Sequence, residues 1–118
     1  MNDAKWQVFD LHALKDNLSS GPVEYQEFLN VPTLSCGLYQ LKRGATDMQT
    51  PHDEDEVYYV LQGRARLRIG DREHSVSPGT GMYVQATEAH SFFEIEEDMI
   101  LLVFFASAPK TEAVLDLG

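Results

Sequence analysis

Cysteine, basic residues and long apolar runs are what this chain has least of. Cys36 is the only cysteine in 118 residues, so no internal disulfide can form. A reducing, cytoplasmic setting is the expectation that follows. Nine lysines and arginines stand against nineteen acidic residues, a formal charge of -10. Such a surface repels phosphate backbones and anionic headgroups, which argues against nucleic acid and membrane as partners. It does not restrict the substrate, because a buried pocket sets its own local sign. The longest apolar stretch, Met99 to Ala106, is far too short to cross a bilayer. Met1 to Trp6 contains no apolar run of the signal-peptide kind, so retention in the cell is expected. Internal repeats and low-complexity tracts are absent too.

What remains is an ordinary globular composition, 43% hydrophobic, at a length that suits one domain. A chain of this size buries a real core but gains stability by pairing, and a homodimer is the default expectation. Residues 1–33 read as an N-terminal arm packed on the main body, 34–108 as a β-barrel and 109–118 as a C-terminal tail. Within the arm, Leu11, Leu14 and Leu18 fall on one side of a short helix that Ser19-Ser20-Gly21-Pro22 ends. Tyr25 to Leu29 reads as a short strand, with Trp6 as the arm's anchor.

From Leu34 onward strand and turn alternate. Leu34 to Lys42 is one strand, and Glu56 to Leu61, dense in β-branched and aromatic residues, is another. Arg64, Arg66 and Arg68 alternate with Ala65, Leu67 and Ile69, the period of a half-buried strand with its arginines outward. Those arginines can pair with carboxylates on a neighbouring strand or subunit. Gly70-Asp71 makes a tight hairpin turn and Arg72 to Val76 returns. Met82 to Gln85, His90 to Ile95 and Met99 to Ala106 complete the set. The last is apolar on both faces and should be covered on both, by the barrel interior and by a second sheet or partner. The fold class is all-β, a sandwich or barrel.

Two stretches carry candidate chemistry. The first is Gly44-(x5)-Thr50-x-His52-(x3)-Glu56-(x6)-Gly63, and the second is Gly79-(x5)-Gln85-x-Thr87-(x2)-His90-(x3)-Glu94. On one unbroken strand His52 and Glu56 would lie roughly 13 Å apart, at about 3.3 Å per residue. Metal ligands must sit far closer, so the chain has to turn at Asp53-Glu54-Asp55 for both to serve one ion. Glu56, Tyr58 and Val60 then share the interior face, as do His90, Phe92 and Glu94 on the later strand. Two imidazoles and a carboxylate form a facial set that leaves coordination positions open. Iron(II) is the first choice for it, with manganese, nickel and zinc also suited.

The two stretches resemble the paired motifs of the cupin superfamily, small barrels of the double-stranded β-helix (jelly-roll) type. Gly44, His52, Glu56 and Gly63 hold their places in the first motif, and Thr50 stands where its first histidine is usual. Gly79 and His90 match the second, while Gln85, Thr87 and Glu94 replace its proline, glycine and asparagine. The resemblance spans residues 34–106 and implies a metal site of His52, Glu56 and His90. Gln49 or Thr50 could supply a weaker fourth oxygen. It also implies a small organic molecule in the barrel and dioxygenase- or isomerase-like chemistry. A non-catalytic small-ligand module and a metal-free epimerase- or cyclase-like cupin are the alternatives. Fold alone does not choose among them.

Other residues carry plainer expectations. Asp53-Glu54-Asp55 reads as an exposed turn, with Glu54 a remote ligand. His12 and His74 read as surface residues and Cys36 as a buried small one. Tyr58 and Phe92 are the aromatics nearest the metal, as pocket walls or simple barrel filling. Neither Tyr58 nor Glu94 carries enough signal to name it as a general acid or base.

Overall fold

The computed structural model describes residues 5–47 and 53–106. The 109–118 tail therefore lies outside the described residues. One short helix, α1 (Leu11–Asp16), precedes eight strands: β1 (Val23–Val31), β2 (Leu34–Leu41), β3 (Asp55–Gln62), β4 (Ala65–Ile69), β5 (Arg72–Val76), β6 (Gly81–Val84), β7 (His90–Phe93) and β8 (Met99–Ala106). They form two antiparallel sheets, five strands in the order β1-β2-β8-β3-β6 and three in the order β5-β4-β7. This is the jelly-roll architecture expected. No helix among the described residues is long and apolar enough to cross a membrane.

The strand alternation sets the layers. Glu56, Tyr58 and Val60 of β3 are buried, whereas Val57 and Tyr59 between them are about two-fifths exposed. On β4, Ala65 and Leu67 turn inward and the arginines outward. Arg66 and Arg68 reach Glu73 of β5 at 3.5 and 2.8 Å, and Arg64 reaches Glu96 and Glu97 at 3.4 and 3.2 Å. Exposed pairs of this kind add little to stability, because water screens them. The core lies between the sheets, with Tyr39, Leu41, Tyr58, Val60, Leu67, Phe92, Met99, Leu101 and Val103 at its centre. Gly63 closes β3 at φ 93°, where a Cβ would run into the backbone of Asp98 and Met99. Only glycine takes that corner without strain.

β8 pairs with β2 along eight residues and with β3 on its other side, so its backbone is enclosed. Its inward residues are in the core, and of its outward ones Ile100 is buried while Leu102 and Phe104 are half-buried. The N-terminal segment contacts this outer side. Phe9 meets Phe28 edge-on at 4.7 Å, Gln40 Nε2 donates to the carbonyls of Ser19 and Gly21, and Lys15 Nζ donates to Gln62 Oε1.

Four local expectations need correction. The strand expected at Tyr25 to Leu29 runs from Val23 to Val31 and pairs with all of β2, with an irregularity between Glu27 and Leu29. That irregularity and the edge position break the alternation a sequence pattern needs. The helix ends at Asp16, started by Asp10, whose carboxylate accepts from the backbone N–H groups of His12 and Ala13. Trp6 is 76% exposed, and Phe9 makes the aromatic contact to β1 instead. β7 stops at Phe93, and Glu94, at φ 47°, is exposed. Glu94 therefore does not share an interior face with His90 and Phe92.

Candidate metal site

β3 belongs to the larger sheet and β7 to the smaller, and their inward residues face each other across the barrel. Glu56 sits opposite Val84 of β6 and Phe105 of β8, and His90 opposite Ile69 of β4. Inward alternation brings the two side chains together: His90 Nε2 lies 3.1 Å from Glu56 Oε1, with both side chains 1% exposed. The Tyr58 hydroxyl closes the group, donating to Glu56 Oε2 at 3.0 Å and lying 3.0 Å from His90 Nε2. Phe92 packs edge-on against Tyr58, ring centroids 5.3 Å apart.

The chemistry of the imidazole follows from its partners. His90 Nδ1 is 2.9 Å from the carbonyl oxygen of Glu88, which can only accept, so Nδ1 carries a hydrogen and Nε2 faces Glu56. Burial resists charging the ring. The hydrogen bonds to Glu56 and to the Glu88 carbonyl, with the charges of Glu56 and Asp47, outweigh that and raise its pKa above the ordinary histidine value. The same geometry suits a metal, since a backbone carbonyl that fixes Nδ1–H presents Nε2 as a ligand.

A second buried carboxylate supports this end of the barrel. Asp47, 8% exposed, accepts from the Tyr39 hydroxyl at 2.6 Å through Oδ1 and from the backbone N–H of Phe92 at 2.8 Å through Oδ2. It thus ties the loop after β2 to the strand that carries His90. Burial, then the hydrogen bond and charge of Asp47, push the Tyr39 phenol up.

Of the expected ligands, Glu56 and His90 meet. His52, with Gln49 and Thr50, lies outside the described residues. Among the described residues, no group of three His, Cys, Asp or Glu side chains is placed to hold a metal ion. The donor types present, one carboxylate and one oriented imidazole, fit a divalent ion of the harder transition series. Glu54 is half-buried at the bend before β3, and His12 and His74 are exposed as expected. Cys36 is buried, also as expected.

The contacts made by the Tyr58 hydroxyl and the role of Asp47 were missed in the sequence. Tyr58 had a usable signal, two residues beyond Glu56 on the same strand face. Asp47 had none, because no periodic pattern runs through a turn.

Residues 37–105 match the cupin domain family, well over half of the chain. The chain is a cupin. It is 40% identical over 100 residues to SCO3923, an uncharacterised protein of Streptomyces coelicolor, spanning 85% of this chain and 95% of that one. Among solved structures it is similar to TT1209 of Thermus thermophilus, at TM-score 0.72 and 26% identity over 88% of this chain and all of the other. An RmlC-like cupin of Shewanella frigidimarina superposes with TM-score 0.66 at 18% identity, covering 77% of this cupin and 81% of the other. At that identity the likeness concerns the fold alone.

The cupin motifs also explain two unusual backbone positions. Thr87 and Glu94 have φ of 67° and 47°. They occupy the places where the second motif has glycine and asparagine, the residues most at ease in the left-handed region.

Proposed function

We propose that this cupin binds a divalent metal through His52, Glu56 and His90 and acts on a small organic molecule held in the barrel. Dioxygenase-like and isomerase-like chemistry both suit it. The observation that carries the reading is the meeting of Glu56 and His90, delivered from opposite sheets to 3.1 Å in an interior lined by Tyr58 and Phe92. Iron(II) is the first choice, with manganese, nickel or zinc as alternatives. Bound there with open positions, such an ion supplies Lewis-acid polarisation of a carbonyl or enolate, or a redox centre for dioxygen chemistry. The chain's own residues do the rest. The Glu88 carbonyl aims His90, Tyr58 orients Glu56 by donating to it, and the buried aromatic pair limits water.

Titrating chelator-stripped protein with manganese(II) tests this. Uptake should be stoichiometric in the wild type and absent in His52→Ala and His90→Ala, with the strand signature in circular dichroism retained. Uptake equal to wild type in both variants defeats the reading. Turnover of candidate carbonyl or enol substrates by the metal-loaded protein then separates an enzyme from a non-catalytic binding module.

One observation favours a second reading. Tyr58, Glu56 and His90 already form a hydrogen-bonded set able to pass a proton, as a metal-free epimerase- or cyclase-like cupin would need. Turnover undiminished by exhaustive chelation would select it.

A homodimer and a reducing, cytoplasmic setting complete the proposal. Val57, Tyr59 and Tyr83 are 43%, 42% and 60% exposed on the outer side of β3 and β6, and Val57 lies directly across from Tyr83. Phe104 and Leu102 of β8 adjoin them, across from Val57 and Tyr59. An apolar patch in two cross-strand rows suits an isologous contact with a second copy. A strictly monomeric species in sedimentation at micromolar concentration contradicts it.

A further inference from the structure

We infer that Tyr58 is itself a ligand of the metal site, its phenol oxygen completing a triangle of donors with Glu56 and His90. The inference rests on the metal-binding reading above and goes beyond it. A residue expected as a pocket wall becomes part of the coordination sphere.

The geometry is specific. Tyr58 Oη is 3.0 Å from Glu56 Oε2 and 3.0 Å from His90 Nε2, and Nε2 is 3.1 Å from Glu56 Oε1. Two donors bonded at about 2.1 Å to one ion and at right angles to each other are separated by about 3.0 Å. The phenol oxygen therefore stands at that spacing from the imidazole nitrogen and from one carboxylate oxygen. A residue that only supports a ligand needs to touch that ligand alone. Tyr58 touches both. Its ring is fixed by Phe92 edge-on and the residue is 1% exposed, so the oxygen is held where it is.

The sequence gives an independent reason. Thr50 stands where the first cupin motif has its first histidine, which leaves the site one strong donor short. A phenol oxygen two residues past the motif glutamate supplies one from the same strand. On ligation the O–H bond breaks, its proton leaves to solvent and an oxygen–metal bond forms, with no change of oxidation state. Phenolate and carboxylate together give two hard, anionic oxygens, a set suited to ferric iron.

Ferric iron also supplies the test. Chelator-stripped full-length protein is incubated with ferric nitrilotriacetate, freed of excess reagent and examined for bound iron and visible absorption. The wild type should hold iron and show a phenolate-to-iron charge-transfer band. Tyr58→Phe should lose the band, while Tyr59→Phe and Tyr83→Phe, altered on the outer face, should keep it. An iron-loaded wild type with no visible band overturns the inference, as does a band that survives in Tyr58→Phe. The first of these holds whether or not the variant folds. A wild type that takes up no ferric iron also overturns the inference, whereas equal manganese(II) uptake by wild type and His90→Ala overturns instead the metal-binding reading beneath it.

Discussion

The two ends of β3 pose opposite problems to the same barrel. At one end its inward side chains are Glu56 and Tyr58, and at the other Val60, which joins Leu67, Met99 and Leu101 in the hydrophobic core. The apolar end stabilises the fold by removing hydrocarbon from water. The polar end buries the Glu56 carboxylate, the His90 imidazole and the Tyr58 phenol, with Asp47 close by, and each of these costs free energy unless it is paired. The apolar layer needs only volume and shape, whereas every atom at the other end needs a partner of the right sign and direction. A small domain with little stability to spare keeps such a cluster when its chemistry is used.

Substitutions can separate the two ends. Leu101→Ala removes a fully buried side chain from the apolar layer and should lower stability by about 2–5 kcal/mol in denaturant unfolding. Metal uptake by the folded fraction should not change. Asp47→Ala at the polar end should cost less, about 1–3 kcal/mol, because it strands the Tyr39 hydroxyl and the Phe92 N–H. It should also weaken metal binding, through the strand that carries His90. Equal metal affinity in the two variants would erase the proposed division of labour.

The apolar end should be indifferent to pH near neutrality, and the polar end should not. The His90 pKa is raised in the folded protein, net of a burial effect that acts the other way. Its contribution to stability is therefore fully present below the unfolded value of about 6.5 and is lost as pH rises through the raised folded value. Metal-free wild type should accordingly be more stable at about pH 6 than at about pH 8.5, and His90→Gln should flatten that slope. An identical slope in the variant assigns the dependence to other groups. The smallest effect belongs to Thr87→Gly, which relieves a β-branched residue at φ 67°. It should gain up to about 1 kcal/mol, read as a higher unfolding midpoint, with metal uptake unaltered.

The two ends were also unequally legible in the sequence. Alternation alone gave the inward face of β3, the outward arginines of β4 and the Gly70-Asp71 hairpin, because a half-buried strand writes its burial at period two. The paired motifs placed Glu56 and His90 together across two sheets, which no local pattern could do. β1 is longer than its sequence pattern suggests, since it is an edge strand whose alternation slips between Glu27 and Leu29. Strand period carried past Phe93 puts Glu94 in the interior, but the positive φ of Glu94 itself turns the chain away. The Tyr58 and Asp47 contacts depend on where hydroxyl and carboxylate oxygens end up in three dimensions, and residue type alone does not encode that.

The measurement that bears most directly on the polar end is elemental analysis of the protein purified without chelator or nickel-affinity contact, beside His90→Ala prepared identically. Stoichiometric divalent metal, iron foremost, in the wild type and none in the variant is the expected result. A metal-free wild type, or equal metal in both, would contradict the assignment of Glu56 and His90 as partners in a metal site.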